Sequence, residues 1–179
     1  MLYIFFAPGF EETEAVVTLD MVRRGEIEIK SVGVGGRTIT GSHGIPVVCD
    51  LADSELSLAD VTGIILPGGM PGTLNLEKSE VVRAAIDHST QRGLLICAIC
   101  AAPSILGEQG HLKGKHACCY PGFEEKLTGA KVLYDPVVVD GSVITSRGAG
   151  TSIPFALAMV AYLASHEKAA EIAAQIQYG

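Results

Sequence analysis

Apolar positions along this chain follow two rhythms, and their alternation predicts the architecture. Leu2 to Phe6 is an unbroken apolar run, as expected of a parallel strand covered on both faces. Ala7-Pro8-Gly9-Phe10 interrupts it. Glu11-Glu12-Thr13-Glu14 then opens a helix, with acids in or near the first turn, where the helix dipole favours negative charge. The helix is expected to reach Arg24 and to end at Gly25. Ile27 to Val32 alternates apolar and polar residues, the pattern of a second strand. Arg37 to Cys49 sets Gly41 and Gly44 between β-branched residues and reads as a hairpin-like excursion. Val61 to Leu66 is a third main strand, ended by Pro67-Gly68-Gly69-Met70-Pro71-Gly72. A helix follows from Ser79 to Arg92 with Val82, Ala85 and Ile86 on its inner side. Leu94 to Ile99 is the next strand, and a short helix beginning near Pro103 closes at Gly107.

Beyond that point the strands shorten. Lys115 to Cys119, Lys131 to Leu133, Val137 to Val139 and Val143 to Thr145 are candidates, and Ser146 to Gly150 forms a turn. Thr151 is a fair N-cap, and Pro154 is tolerated in the first turn, where N–H groups lack helical partners. Ile153, Leu157, Val160, Ala161 and Ala164 then make an apolar stripe at helical spacing. An Ala-rich helix from Glu167 to Gln177 ends the pattern. Strands alternating with helices imply a parallel sheet with helices on both faces. Ligands of such sheets bind beyond the carboxyl ends of the strands. The turns at Pro8 to Glu14, Pro67 to Gly72 and Cys100 to Pro103 all fall there.

Composition narrows the function classes. The 179 residues suit a single domain spanning 1–179, with 48% apolar residues for its core. A formal charge of −7 leaves no basic stripe, so nucleic acid is not an expected partner. The apolar start is short and lacks a basic leader, so it reads as a strand and not a signal peptide. No apolar run approaches a membrane span. Five cysteines without framework-like spacing suggest reduced thiols and a cytoplasmic setting.

The candidate chemistry centres on Leu94 to Ser104. An apolar strand ends abruptly in Cys100, small residues follow, and Pro103 starts a helix. This is the pattern of a nucleophile elbow, which presents its turn residue above the sheet edge beside a positive helix terminus. The commoner fate of a cysteine is a small buried apolar residue, and Cys49 and Cys97, in or beside apolar strands, fit that description. A carboxyl group near the thiol raises its pKa when ionised and lowers it when protonated by burial. Glu14 suits that role, and Glu11 and Glu12 suit solvated positions; the residues alone leave the choice open. Gly68 and Gly69 permit close backbone approach, so their N–H groups could join that of Ala101 in an oxyanion hole. Cys97-Ala-Ile-Cys100 matches a redox or metal spacing, yet its first thiol lies inside a strand, and no second such motif accompanies it. No metal site is expected. Among the scattered histidines, His43 in the Gly41 to Gly44 turn is the best contributor, and the others read as surface residues.

At these residues the chain resembles the ThiJ/PfpI superfamily, in its DJ-one branch. The carriers are Ala7 to Glu14, Asp20 to Arg24, Leu66 to Gly69, Ala98 to Pro103 and Thr145 to Ser152, in the expected order over nearly the whole chain. The resemblance implies a flavodoxin-like three-layer α/β sandwich that forms a homodimer. It implies an oxidation-sensitive nucleophile at Cys100, a protonated acid at Glu14 and an anion pocket from Gly68, Gly69 and Ala101. Two departures stand out. Tyr120 replaces a histidine that some members hold near the cysteine, so Tyr120 or His43 is left as the auxiliary proton carrier. Ala101 stands where the protease/amidase-like branch has histidine, which argues against a peptidase or amidase. The implied activity needs no cofactor: conversion of small reactive 2-oxoaldehydes such as methylglyoxal to lactate, or deglycation of glycated substrates. The alternative is a redox sensor or chaperone-like protein in which Cys100 is oxidised to a sulfinate.

Overall fold

The computed structural model describes residues 1–179 and sets β1 (Leu2–Phe6), with every residue buried, inside a seven-stranded sheet. The acidic opening that follows becomes α1 (Glu12–Arg24), and the Glu11 side chain caps it by accepting the Glu14 N–H at 2.8 Å. β2 (Ile29–Gly33) returns parallel to β1. The glycine-punctuated stretch is an antiparallel hairpin of β3 (Thr38–Thr40) and β4 (Pro46–Val48), outside the main sheet. β5 (Leu51–Ala52) forms the edge beside β2.

β6 (Gly63–Leu66) pairs with β1, and β7 (Leu95–Ile99) pairs with β6, all parallel. Between them lie two helices, α2 (Gly72–Lys78) and α3 (Glu80–Gln91). The apolar pattern announced only α3, because α2 is barely two turns long and starts inside the Pro- and Gly-rich run. α4 (Pro103–Glu108) follows β7. Gly107 lies inside α4 and does not close it. A Cβ there would collide with the Lys126 carbonyl, so this glycine serves close approach.

β8 (His116–Ala117) and β9 (Lys131–Val132) form a small parallel pair. β10 (Val137–Asp140) runs antiparallel to β11 (Val143–Ser146), which joins β7. α5 (Ser152–Leu163) and α6 (His166–Gln175) complete the chain. The sheet order is β10-β11-β7-β6-β1-β2-β5, with β10 its one antiparallel member.

Alternation along the strands divides the core into two layers. Ile96 and Ala98 of β7 pack with Leu76, Ile86 and Leu106 on one face. Cys97 and Ile99 pack with Ala15, Val22 and Phe155 on the other. The architecture is therefore a mixed α/β sandwich of three layers, as in flavodoxin-like folds. Two expectations shift in detail. α5 is apolar nearly all round; of the expected stripe it buries Val160, and with it Phe155, Ala156 and Met159 in place of Ile153 and Leu157. Thr151 stands at the N-cap, yet its hydroxyl bonds Gly148 and Ser146 and not the helix. No helix is long and apolar enough to cross a membrane.

Candidate active site

Cys100 sits where β7 ends, with φ +63°. That is the left-handed region, which costs a residue with a Cβ on the order of 1 kcal/mol and persists only when surroundings impose it. Here both backbone groups are held. The Cys100 N–H donates to the Ser146 carbonyl at 3.0 Å, and the Cys100 carbonyl accepts the Tyr120 N–H at 2.7 Å. Pro103 at the first position of α4 then turns the chain away. The half-buried thiol is left at the carboxyl edge of the sheet, with the N–H groups of Gly69 and Ala101 aimed at its sulfur.

Glu14 reaches the same point from the first turn of α1. It is 1% exposed. Its Oε2 accepts the Gly68 N–H at 2.8 Å, whereas Oε1 has no nitrogen or oxygen partner and the carboxyl otherwise meets the Cys100 thiol. Burial is the leading cause that pushes Glu14 up to about 7, against the hydrogen bonds from Cys100 and Gly68. Burial also pushes the Cys100 thiol up, joined by the charge of an ionised Glu14, while the Gly69 and Ala101 N–H groups pull it down. A protonated Glu14 reverses its own part, because it carries no charge and offers an O–H to the sulfur. The two groups titrate as a pair, and a carboxylic acid facing a thiolate is its reactive arrangement.

The backbone donors divide their work. Gly68, expected in the anion pocket with Gly69 and Ala101, gives its N–H to Glu14. A Cβ at Gly68 would stand 2.6 Å from Cys100 Cβ and 2.8 Å from Glu14 Oε2, so only glycine lets thiol and acid come together. Gly69, at φ +90°, packs against the backbone of Glu11.

Glu11 and Glu12 differ from each other, and Glu12 corrects an expectation. Glu12 is buried, not solvated, at 8% exposure. It accepts the His43 N–H at 2.7 Å, the His43 Nδ1 at 2.8 Å and the Ser42 hydroxyl at 3.2 Å. Burial opposes ionisation, but these bonds prevail and hold Glu12 at about 2. Glu12 in turn raises His43, whose ring is otherwise exposed. His43 is thus fixed to α1 and not to Cys100. Of the histidines expected at the surface, His88 and His111 each hide an Nε2 without a hydrogen bond, that of His111 lying 3.5 Å from the Asp87 carboxylate.

Tyr120 is half-exposed, and its ring covers Gly148, 3.2 Å from where a Cβ would stand. With Arg147, Gly148 and Thr151 it lines an open depression of about 400 Å³ beside the elbow. Ser146 was not singled out from its residue type; its carbonyl, which takes the Cys100 N–H, carries no side-chain signal. Cys97 is fully buried in the sheet and burial raises it well above the ordinary thiol range. Glu11, Glu12 and His43 bring three ligand-type groups together, but Glu11 already caps α1 and Glu12 is fully engaged.

Comparisons with known proteins agree on one kinship. The profile of the DJ-1/PfpI family matches residues 1–162. Protein DJ-1 homolog B of Arabidopsis thaliana is 37% identical over 169 residues, which cover 93% of this chain and only 39% of that longer protein. The glutathione-independent glyoxalase DJR-1.2 of Caenorhabditis elegans is 35% identical over 160 residues, covering 88% of this chain and 85% of that one. The solved structure of oxidized Toxoplasma gondii DJ-1 superposes with a TM-score of 0.95 at 32% identity, covering 99% of this chain and 98% of that one.

Proposed function

This chain belongs to the DJ-1/PfpI family, and from that premise we propose that it is a cofactor-independent enzyme converting small 2-oxoaldehydes, such as methylglyoxal, to 2-hydroxy acids. The observation that carries the reading is the Cys100 thiol on its strained turn, facing a buried Glu14 held near neutrality. The name of the nematode relative, a glyoxalase that needs no glutathione, supports the same reaction class.

The Cys100 thiolate adds to the aldehyde carbon, and the carbonyl oxygen takes the proton of Glu14, giving a hemithioacetal. The Glu14 carboxylate then removes the hydrogen on that carbon, the electron pair moves onto the neighbouring ketone oxygen to give an enediolate, and the hydroxyl proton passes from the first oxygen to the second. Return of the proton to the former ketone carbon leaves a thioester of the hydroxy acid. Water cleaves the C–S bond, restores the thiol and releases the product, so the net reaction adds one water. The N–H groups of Gly69 and Ala101 steady negative charge on sulfur and on the adjacent oxygen. Tyr120 is the auxiliary proton carrier, because His43 is tied to Glu12. The depression beside Tyr120 is the way in for substrate, and early glycated adducts of the same aldehydes belong to the same class.

The test is a turnover assay with methylglyoxal and with glycated substrates. Wild type is expected to consume methylglyoxal, and Cys100→Ser and Glu14→Ala to lose all measurable turnover. Full activity in either variant removes the proposal. The second reading, a redox sensor, rests on the half-buried thiol with two N–H donors. Peroxide would convert the thiolate to a sulfenate and water, and a second peroxide would carry it to a sulfinate. Selective mass gain at Cys100 after mild peroxide, without carbonyl turnover, favours that reading. The proposal also includes a homodimer, because Val16 of α1 and Ile45 and Val48 of the hairpin leave apolar side chains exposed. Sedimentation should give twice the 18.7 kDa chain mass; a monomer at micromolar concentration removes that part.

A further inference from the structure

The sheet has a second end. Where β7 and β11 begin, on the side away from Cys100, a partly open cavity of about 190 Å³ lies between α3 and the segment after α4. Leu94, Ile96, Leu106 and Val143 supply apolar walls, and no carboxylate lines it. A cavity of about 150 Å³ has room for benzene, so this one has room for a small branched or aromatic body.

One end of the cavity is polar. Lys115 lines it; no carboxylate oxygen lies within 4 Å of its amine, although its charge helps hold Asp140, two residues before Ser142, ionised. Its amine lies 3.9 Å from where a Gly141 Cβ would stand, and the next residue, Ser142, also lines the cavity. His111 adds a buried Nε2 without a hydrogen-bond partner. Asp87, 3.5 Å from that nitrogen, belongs to the outer surface and does not line the cavity. An apolar-walled pocket with an ammonium group and a hydroxyl residue on its lining has the chemistry of a site for an amphipathic anion.

We propose that this cavity binds a small monocarboxylate with a branched or aromatic apolar body. The body fills the space between Leu94, Leu106 and Val143, and the carboxylate accepts hydrogen bonds from Lys115 and Ser142. The site is separate from the Cys100 chemistry and does not depend on it.

The experiment titrates the isotopically labelled full chain with 4-methylpentanoate and with the neutral 4-methylpentanamide, following backbone amide shifts. Expected are saturable shifts at residues 93–96, 111–115 and 142–143. Lys115→Met should weaken carboxylate binding roughly tenfold and leave amide binding unchanged. Cys100→Ser should titrate as wild type does. The proposal is overturned by absence of saturable shifts at millimolar probe, by equal affinity for acid and amide, or by shifts that centre on Cys100 and vanish in Cys100→Ser.

Discussion

Glu14 is an acid placed where its charged form is penalised, and the penalty is readable in stability. Its folded value of about 7 exceeds the ordinary 4.5, so between those values the folded state holds more protons than the unfolded one. Stability is therefore fully present below pH 4.5, falls as pH rises through the window and levels off above about 7. The gap corresponds to about 3 kcal/mol. Glu14→Gln keeps the shape and cannot ionise, so denaturation of this variant should show that decline removed, leaving it more stable than wild type above pH 7. An unchanged pH slope would mean that Glu14 does not hold its proton. Gly68 makes the companion case. In Gly68→Ala the new methyl must displace Cys100 or Glu14, and turnover should fall at least roughly tenfold through misplacement, while the melting temperature drops by only a few degrees.

Elements that announce themselves do so by length and by caps. β1, α1, α3 and β7 carry unbroken or periodic apolar runs, and each lies within two residues of its expected bounds. α2 and β5 are too short for a period to form. The buried face of α5 was unreadable for the opposite reason: with apolar residues on all sides, only its neighbours α1 and α6 decide which face turns inward. The turn between β3 and β4 shows a third case, in which a polar anchor comes from another element. Glu12 of α1 accepts the His43 and Ile45 N–H groups, and a Cβ at Gly41 would fall onto the Glu12 carboxylate. Because folding holds Glu12 at about 2, below its ordinary 4.5, the anchor is complete above pH 4.5 and is lost as pH falls toward 2. Hydrogen exchange should find the His43 and Ile45 amides protected in wild type at neutral pH. Exchange should be roughly tenfold faster in Glu12→Ala, and Gly41→Ala should act in the same direction. Equal protection in all three would separate the turn from α1.

At the scale of the whole molecule, the candidate site exists only because distant segments end at one sheet edge. Cys100 was legible as a thiol at the end of an apolar strand, whereas its partner Glu14 came only from the family resemblance, because the residues alone left the choice open. Glu11, Glu12 and Glu14 are the same residue type within one turn, and their fates diverge through contacts with Gly68, with the 41–45 turn and with the helix's own N–H groups. Cys97 tests whether this division is right. It is the cysteine nearest in sequence to Cys100, yet strand alternation turns it into the layer with Ile65, Ile99 and Phe155, fully buried. A hydroxyl at that position would be buried without an obvious partner. Cys97→Ser should then cost about 1–3 kcal/mol of folding stability, measured by chemical denaturation. Methylglyoxal turnover per folded molecule and the reaction of Cys100 with iodoacetamide should both match wild type. Loss of either function in the folded variant would make Cys97 a working partner of Cys100 and take the task of tuning the thiol away from Glu14.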